Sequence, residues 1–216
     1  MRKKNGQPKD TKRDILDVAG RLFKEYGYDK TTYRMIAEEL NIAPSAIVYH
    51  FKSKPWIVLN LFNDCMGIIH NYVDANLTEG RNYYLYNNIV EICYYRESMR
   101  NKNVWDLFHH EDITNMWAQG WISRVETIFT SIADNFQKTF DPAEIHAISV
   151  MSIGARTSLF AEFYQHGNMS IDRCCHYMMY LMGVFSKLDE ATIMRNIQRA
   201  FDFADSHEFP RIPLFE

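Results

Sequence analysis

Apolar residues recur at intervals of three and four along most of the chain, and alternating runs are scarce. That period predicts an all-α fold. The first helix is expected near Thr11, where Thr11-x-x-Asp14 reads as a capping box; Ile15, Ala19, Leu22, Phe23 and Tyr26 mark its inner face and Gly27 ends it. Thr31 or Thr32 caps a short second helix with Ile36, Ala37 and Leu40 inside, and Asn41 breaks it. A third begins at Pro44, a first-turn position where the missing N–H costs nothing, carries Ile47 and ends near Phe51. Ser53 and Pro55 open a fourth, whose buried stripe is Ile57, Val58, Leu61, Phe62, Cys65 and Ile69. Further helices are expected at about 81–99, 103–109, 112–139, 142–166, 170–187 and 190–205, followed by an irregular tail from Glu208 that holds Pro210 and Pro213.

Two short helices joined by Asn41-Ile42-Ala43 and backed by a supporting helix fit a helix-turn-helix. Ile36, Ala37, Leu40, Ile42, Ile47 and Phe51 can lock the pair together, leaving Pro44, Ser45, Ala46, Tyr49 and His50 outside. Small residues at the start of the second helix allow close entry into a major groove. There the Ser45 hydroxyl and the Ala46 methyl can meet base edges, while Tyr49, His50, Lys52 and Lys54 reach phosphates. Thr32 serves as helix cap and as phosphate ligand; Tyr33 and Arg34 complete the candidate DNA-binding set. The alternative for Tyr49 and His50 is simple coverage of the module's core.

The stretch from Gly27 through Thr31-Thr32 and Ile36-Ala37 to Ile47-Val48-Tyr49-His50-Phe51-Lys52-Ser53-Lys54 resembles the TetR/AcrR family of regulators over roughly residues 9–65. The resemblance implies an N-terminal three-helix DNA reader, a linking fourth helix, and a variable helical domain for ligand and dimerisation. Three positions depart from the family pattern: Ala43 replaces a small hydroxyl cap, Ser45 a common glycine, and Val48 a common tyrosine. Because Pro44 has no N–H, a phosphate contact near it is expected from Thr32, Tyr49 or Lys54. The expected layout is a DNA-binding domain at 9–65, with its motif at about 32–51, and a ligand-binding and dimerisation domain at 66–207.

The second part is rich in Met and aromatic residues. Trp105, Phe108, Met116, Trp117, Trp121, Phe129 and Phe136 lie on the middle helices, where such stripes serve either as core or as pocket lining. Trp105, Phe108, Met116, Trp117 and Trp121 are the candidate lining, with Glu91, Tyr94, Tyr95, Asn115 and Gln119 as polar anchors for a small, mainly apolar effector. The helix at about 170–187 is apolar nearly all round, with Cys174, Tyr177, Met178, Leu181, Met182 and Phe185 on one side and Cys175, Met179, Tyr180 and Val184 on the other. Such a helix needs burial on two faces. Ser149, Ser152, Gly154, Ala155 and Ser158 on the preceding helix allow close approach, so 142–166 and 170–187 are expected to pair two subunits into a symmetric homodimer.

Charge sharpens the division. Residues 1–60 carry 12 Lys/Arg against 7 Asp/Glu, a net of +5; residues 61–216 carry 12 against 20, a net of −8. The whole-chain value of −3 therefore masks a basic head, with Arg2, Lys3, Lys4, Lys9, Lys12 and Arg13 in its first thirteen residues. The longest uncharged apolar-rich stretch, Cys174 to Ser186, is too short to span a bilayer, and the N-terminus lacks the apolar run of a secretory signal. Four cysteines without paired spacing suggest reduced thiols, so a cytoplasmic location and no membrane partner are expected. His109-His110-Glu111-Asp112 and Cys174-Cys175-His176 are runs of neighbours, which seldom converge on one metal. No phosphate loop, nucleophile elbow or zinc-protease motif is present, so neither a cofactor, a metal nor an enzyme activity is expected. The leading expectation is a ligand-responsive repressor on a double-stranded, palindromic DNA operator. The alternatives are a DNA-binding regulator without a small-molecule effector, answering to a protein partner or acting as an activator, and a helical enzyme or carrier with a vestigial reader.

Overall fold

The computed structural model describes residues 10–167, 169–209 and 212–214. Arg2, Lys3, Lys4 and Lys9 of the basic arm, and Pro210, lie outside these. The fold is all-α, with ten helices among the described residues: α1 Thr11–Tyr26, α2 Tyr33–Leu40, α3 Pro44–Phe51, α4 Lys54–Asn76, α5 Tyr83–Ser98, α6 Lys102–His109, α7 Glu111–Phe136, α8 Pro142–His166, α9 Ile171–Phe185 and α10 Glu190–Ser206.

Local chemistry sets most ends. Asp10, not Thr11, caps α1: its carboxylate accepts the Arg13 N–H at 3.1 Å, so the capping frame sits one residue earlier than the expected Thr11-x-x-Asp14 box. Thr32 caps α2 through the Met35 N–H, and Asn41 closes it in the left-handed region at φ 52°. Asp141 caps α8 through the Glu144 N–H at 2.8 Å, with Pro142 at the first position. Ser53 precedes α4 without a side-chain capping bond. Gln137, left-handed at φ 52°, stops α7 three residues before the expected end.

α1–α3 form a small unit in which Ile15, Ala19, Phe23, Ile36, Ala37, Ile47 and Phe51 are buried together. α4 leaves this unit and enters the larger body. There α5 is the axis: it is buried along its length save Tyr83, Tyr94 and Arg96, and packs against α4, α7, α9 and α10. α9 and α5 approach closely at Gly183, where a Cβ would lie 2.6 Å from Ile193 and 2.8 Å from the Tyr84 hydroxyl. That hydroxyl donates to the Met179 carbonyl at 2.7 Å. The Arg96 guanidinium ties α5 to Asp172 of α9 at 2.8 Å and to Asp205 of α10 at 2.7 Å.

The C-terminal tail is irregular, as expected, yet it is not idle. Ile212 and Leu214 are buried, and Leu214 lies 3.5 Å from the Cβ position of Gly20 on α1. The last described residues thus complete the packing of the first helix. The apolar core runs without a break from α1 to α10.

Candidate functional site

Two sites follow from this architecture, one outside the molecule and one inside it. On the outer face of α3, Pro44, Ser45 and Tyr49 are exposed, the last at 84%, while Ala46 and His50 are half-buried. The Tyr49 and His50 rings meet edge to face at 5.3 Å. Val48 is 44% exposed on this same side and was not among the expected contacts; its i+4 spacing from Pro44 is the signal that places it there. Thr32, Arg34 and Lys52 are exposed nearby, and Arg34 pairs with Glu38 at 2.7 Å. Tyr33 is half-buried against the core, and burial raises its phenol pKa.

Lys54 takes a different position from that of a phosphate ligand. Its ammonium donates to the carbonyls of Tyr28 at 2.8 Å and Thr31 at 3.3 Å, and sits 4.0 Å from the centre of the Tyr28 ring. Burial lowers its pKa. It ties the first turn of α4 to the loop before α2. The same loop reaches the body. Tyr28 donates to Asp112 at 3.3 Å and packs on His110 at 4.4 Å, and His110 lies 3.3 Å from Asp29. Asn103 of α6 donates to the carbonyl of Lys24 at 2.8 Å, covering the end of α1. His110 also caps α7 by accepting the Asp112 N–H at 3.2 Å, so the His-His-Glu-Asp run is a helix junction. Among the described residues no three candidate ligands gather for a metal.

Within the body is a cavity of about 290 Å³ lined by α4 to α8, partly open where Thr114, Ala118, Val150 and Thr157 reach solvent. Glu91, Tyr94, Tyr95, Phe108 and Trp121, all expected, line it. Trp105, Met116 and Trp117 do not. Trp105 stacks on His109 at 3.8 Å, behind the wall. Trp117 is buried against Phe62 at 5.2 Å, and Met116 packs into the core from the side. The α7 wall is Thr114, Ala118, Trp121, Ile122 and Val125, a helical stripe that Met116, Asn115 and Gln119 fall off; the last two are exposed.

The polar part of the cavity was mostly missed. Glu91 is there, but it accepts from Arg156 at 2.6 Å and from Asn87 at 3.1 Å. Burial opposes the charge on Arg156, but Glu91 and then Tyr95 outweigh it and raise its pKa. Arg124 also lines the cavity, 6.0 Å from the centres of both the Phe62 and Trp121 rings. Its guanidinium lies 3.3 Å from His70 Nε2. A guanidinium only donates, so this nitrogen accepts and His70 Nδ1 carries the proton toward the Tyr86 hydroxyl at 2.8 Å. Burial, then Arg124, lowers the His70 pKa, which keeps that imidazole neutral. A lone Arg on a largely apolar stretch of α7 was the available signal.

A face of the body also carries exposed apolar residues: Val150 and Met151 on α8, with Tyr177 and Val184 on α9. Gly154 and Ser158 are exposed in line with them, but Ser149 and Ser152 are buried. Two of the five small residues expected to face a partner therefore face the core instead. They fall on the opposite side of α8, where α7 and α9 pack.

Residues 15–60 match the family of bacterial regulatory proteins, tetR family. Over 62 residues the chain is 39% identical to the biofilm operon icaADBC HTH-type negative transcriptional regulator IcaR of Staphylococcus aureus, covering 29% of this chain and 33% of that one. Over 43 residues it is 46% identical to the HTH-type transcriptional repressor Rv1474c of Mycobacterium tuberculosis, covering 20% of this chain and 23% of that one. The matches thus span a third or less of those relatives. The crystal structure of RolR in complex with resorcinol shares the fold over 94% of this chain and 96% of its own, with a TM-score of 0.64 and 13% identity. No helix among the described residues is long and apolar enough to cross a membrane. The likeness in sequence is thus to the N-terminal helix-turn-helix domain of the tetR family of bacterial regulatory proteins, and it rests on residues 15–60.

Proposed function

We propose that this protein is a transcriptional repressor that binds a palindromic DNA operator as a homodimer and is released by a small, mainly apolar effector. Residues 9–65 form the reader in this scheme and 66–207 the sensing and pairing body. The observation that carries the reading is shared structure between cavity and reader. Phe62 and Met66, on the cavity wall, belong to α4, which starts three residues after α3 ends. Phe108 and His109, also on the wall, immediately precede His110, which holds Asp29 and Tyr28 at the foot of the reader. An occupant that moves either wall moves the reader.

Ser45, Ala46 and Val48 would meet bases, and Thr32, Arg34, Tyr49, His50 and Lys52 phosphates, with Tyr33 and Pro44 shaping the approach. The exposed apolar strip on α8 and α9 supports a twofold pairing of subunits, which would set two copies of α3 about 34–36 Å apart in successive major grooves. The structural neighbour RolR holds resorcinol, a small aromatic, which is in keeping with an aromatic-walled cavity. A ligand that favours the DNA-free state weakens operator binding, and operator weakens ligand binding by the same factor.

The test is fluorescence anisotropy on duplexes selected from a random pool. Affinity for the best duplex should fall steeply with salt. The Tyr49→Ala, His50→Ala double variant should lose most of that affinity while keeping the parent's unfolding temperature. Affinity insensitive to salt, or unchanged in the double variant, would overturn the reading.

A further inference from the structure

Resting on the effector reading above, we infer that the cavity takes an organic anion: a one- or two-ring aromatic body bearing an acidic group that Arg124 holds. The inference follows from charge balance. The charged groups lining the cavity are Glu91, Arg156 and Arg124. Glu91 and Arg156 neutralise each other at 2.6 Å. Among the described residues, no carboxylate lies within ion-pair distance of Arg124. The imidazoles, His70 beside Arg124 and His109 on the cavity wall, do not change that balance, because burial lowers the pKa of each and disfavours its cationic form. The cavity therefore carries one positive charge in excess.

Arg124 is also poorly placed to go without a partner. Burial lowers its pKa and the like charge of Arg156 adds to this, while Tyr83, Glu91 and Tyr94 offset them only in part, so an anion would relieve what remains of both penalties. Five guanidinium N–H groups are available, and His70 Nε2 receives one of them. The bond to His70, itself fixed by the Tyr86 hydroxyl at 2.8 Å, holds the plane of the guanidinium and leaves a forked edge for a carboxylate. The surrounding chemistry selects an aromatic body over an inorganic ion, since the Phe62 and Trp121 rings flank the guanidinium, each centred 6.0 Å away. The consequence for regulation is direct. His70 and Phe62 both belong to α4, so an acid bound at Arg124 touches the helix that continues into the reader.

The experiment is calorimetric titration of the full chain at pH 8 with 2-naphthoate and benzoate, each against its uncharged amide, alongside operator release by fluorescence anisotropy. The acids should bind about ten- to hundredfold more tightly than the amides, the range expected of a charge-assisted hydrogen-bonded pair. Arg124→Gln should bring acid down to amide, and Arg124→Lys should restore part of the preference. Should Arg124→Gln fail to fold, the acid-to-amide ratio in the parent and in Arg124→Lys decides. Amides that bind and release operator as well as the acids overturn the inference and leave the effector reading standing. So does an acid preference that survives in Arg124→Gln. If acids and amides alike neither bind nor release operator, both fall.

Discussion

The reader and the body use the same α-helical chemistry in opposite directions. In α3 the buried residues Ile47 and Phe51 do the structural work, and the exposed ones, Ser45, Val48 and Tyr49, are left for recognition. In the body, recognition lies inside. Tyr95, Trp121, Arg124 and Arg156 come from three helices and share one cavity. An outward face needs one helix and a correct register. An inward site needs several helices to converge, and its polar members must balance one another in low dielectric. The difference also shows in the lysines and arginines: Lys52 and Arg34 are solvated, whereas Arg124 and Arg156 sit in the cavity wall.

The largest expected effect tests that internal balance. Glu91→Ala leaves the Arg156 guanidinium without its carboxylate and should cost about 3 kcal/mol, the lower end for breaking a buried pair. Urea unfolding measures it; a loss below about 1 kcal/mol would mean that water replaces the carboxylate and that the cavity wall is not dry.

A smaller effect blurs the line between the two regions. Lys54 belongs to the candidate DNA-binding set by sequence, yet its ammonium bonds inward to Tyr28 and Thr31. Lys54→Met should therefore lower stability by about 1 kcal/mol, discounted for its partial exposure, and leave the salt dependence of DNA binding unchanged. A flatter salt dependence at unchanged stability would return Lys54 to the phosphate contacts.

The smallest effect is one of pH. His70 and His109 have lowered pKa values in the folded state, so the unfolded chain takes up protons first as the pH falls. Their contribution to stability is complete above the ordinary histidine pKa of about 6.5 and is lost as the pH drops below it toward the folded values. Denaturation midpoints at pH 7.5 and 5.5 should show the loss. The His70→Gln, His109→Gln variant should show less of it; an equal loss would place the titrating groups elsewhere.

Legibility in the sequence followed the range of the interactions involved. Pro44, Asn41, Gly27 and Asp141 act on their own or adjacent turns, and the helices they bound lie where the pattern puts them. Trp105 and Trp117 misled because a buried indole reads the same whether it faces a cavity or its back wall. Arg124 and Arg156 were overlooked because an arginine on a helix is usually solvated, and only the approach of α5 and α8 to α7 encloses these two. Ser149 and Ser152 were placed on the wrong side of α8 because small residues scattered around a helix, as at 149, 152, 154, 155 and 158, do not fix which face turns inward.

The amino-acid sequence by itself determined the helices, most of their ends, the helix-turn-helix and the basic head on an acidic body, because each depends on residues close together in the chain. Only the tertiary structure decided which aromatics line the cavity, that Glu91 pairs with Arg156 while Arg124 bonds His70, and that the tail returns Leu214 to α1. Those outcomes depend on contacts between residues tens to almost two hundred positions apart, which no local period encodes.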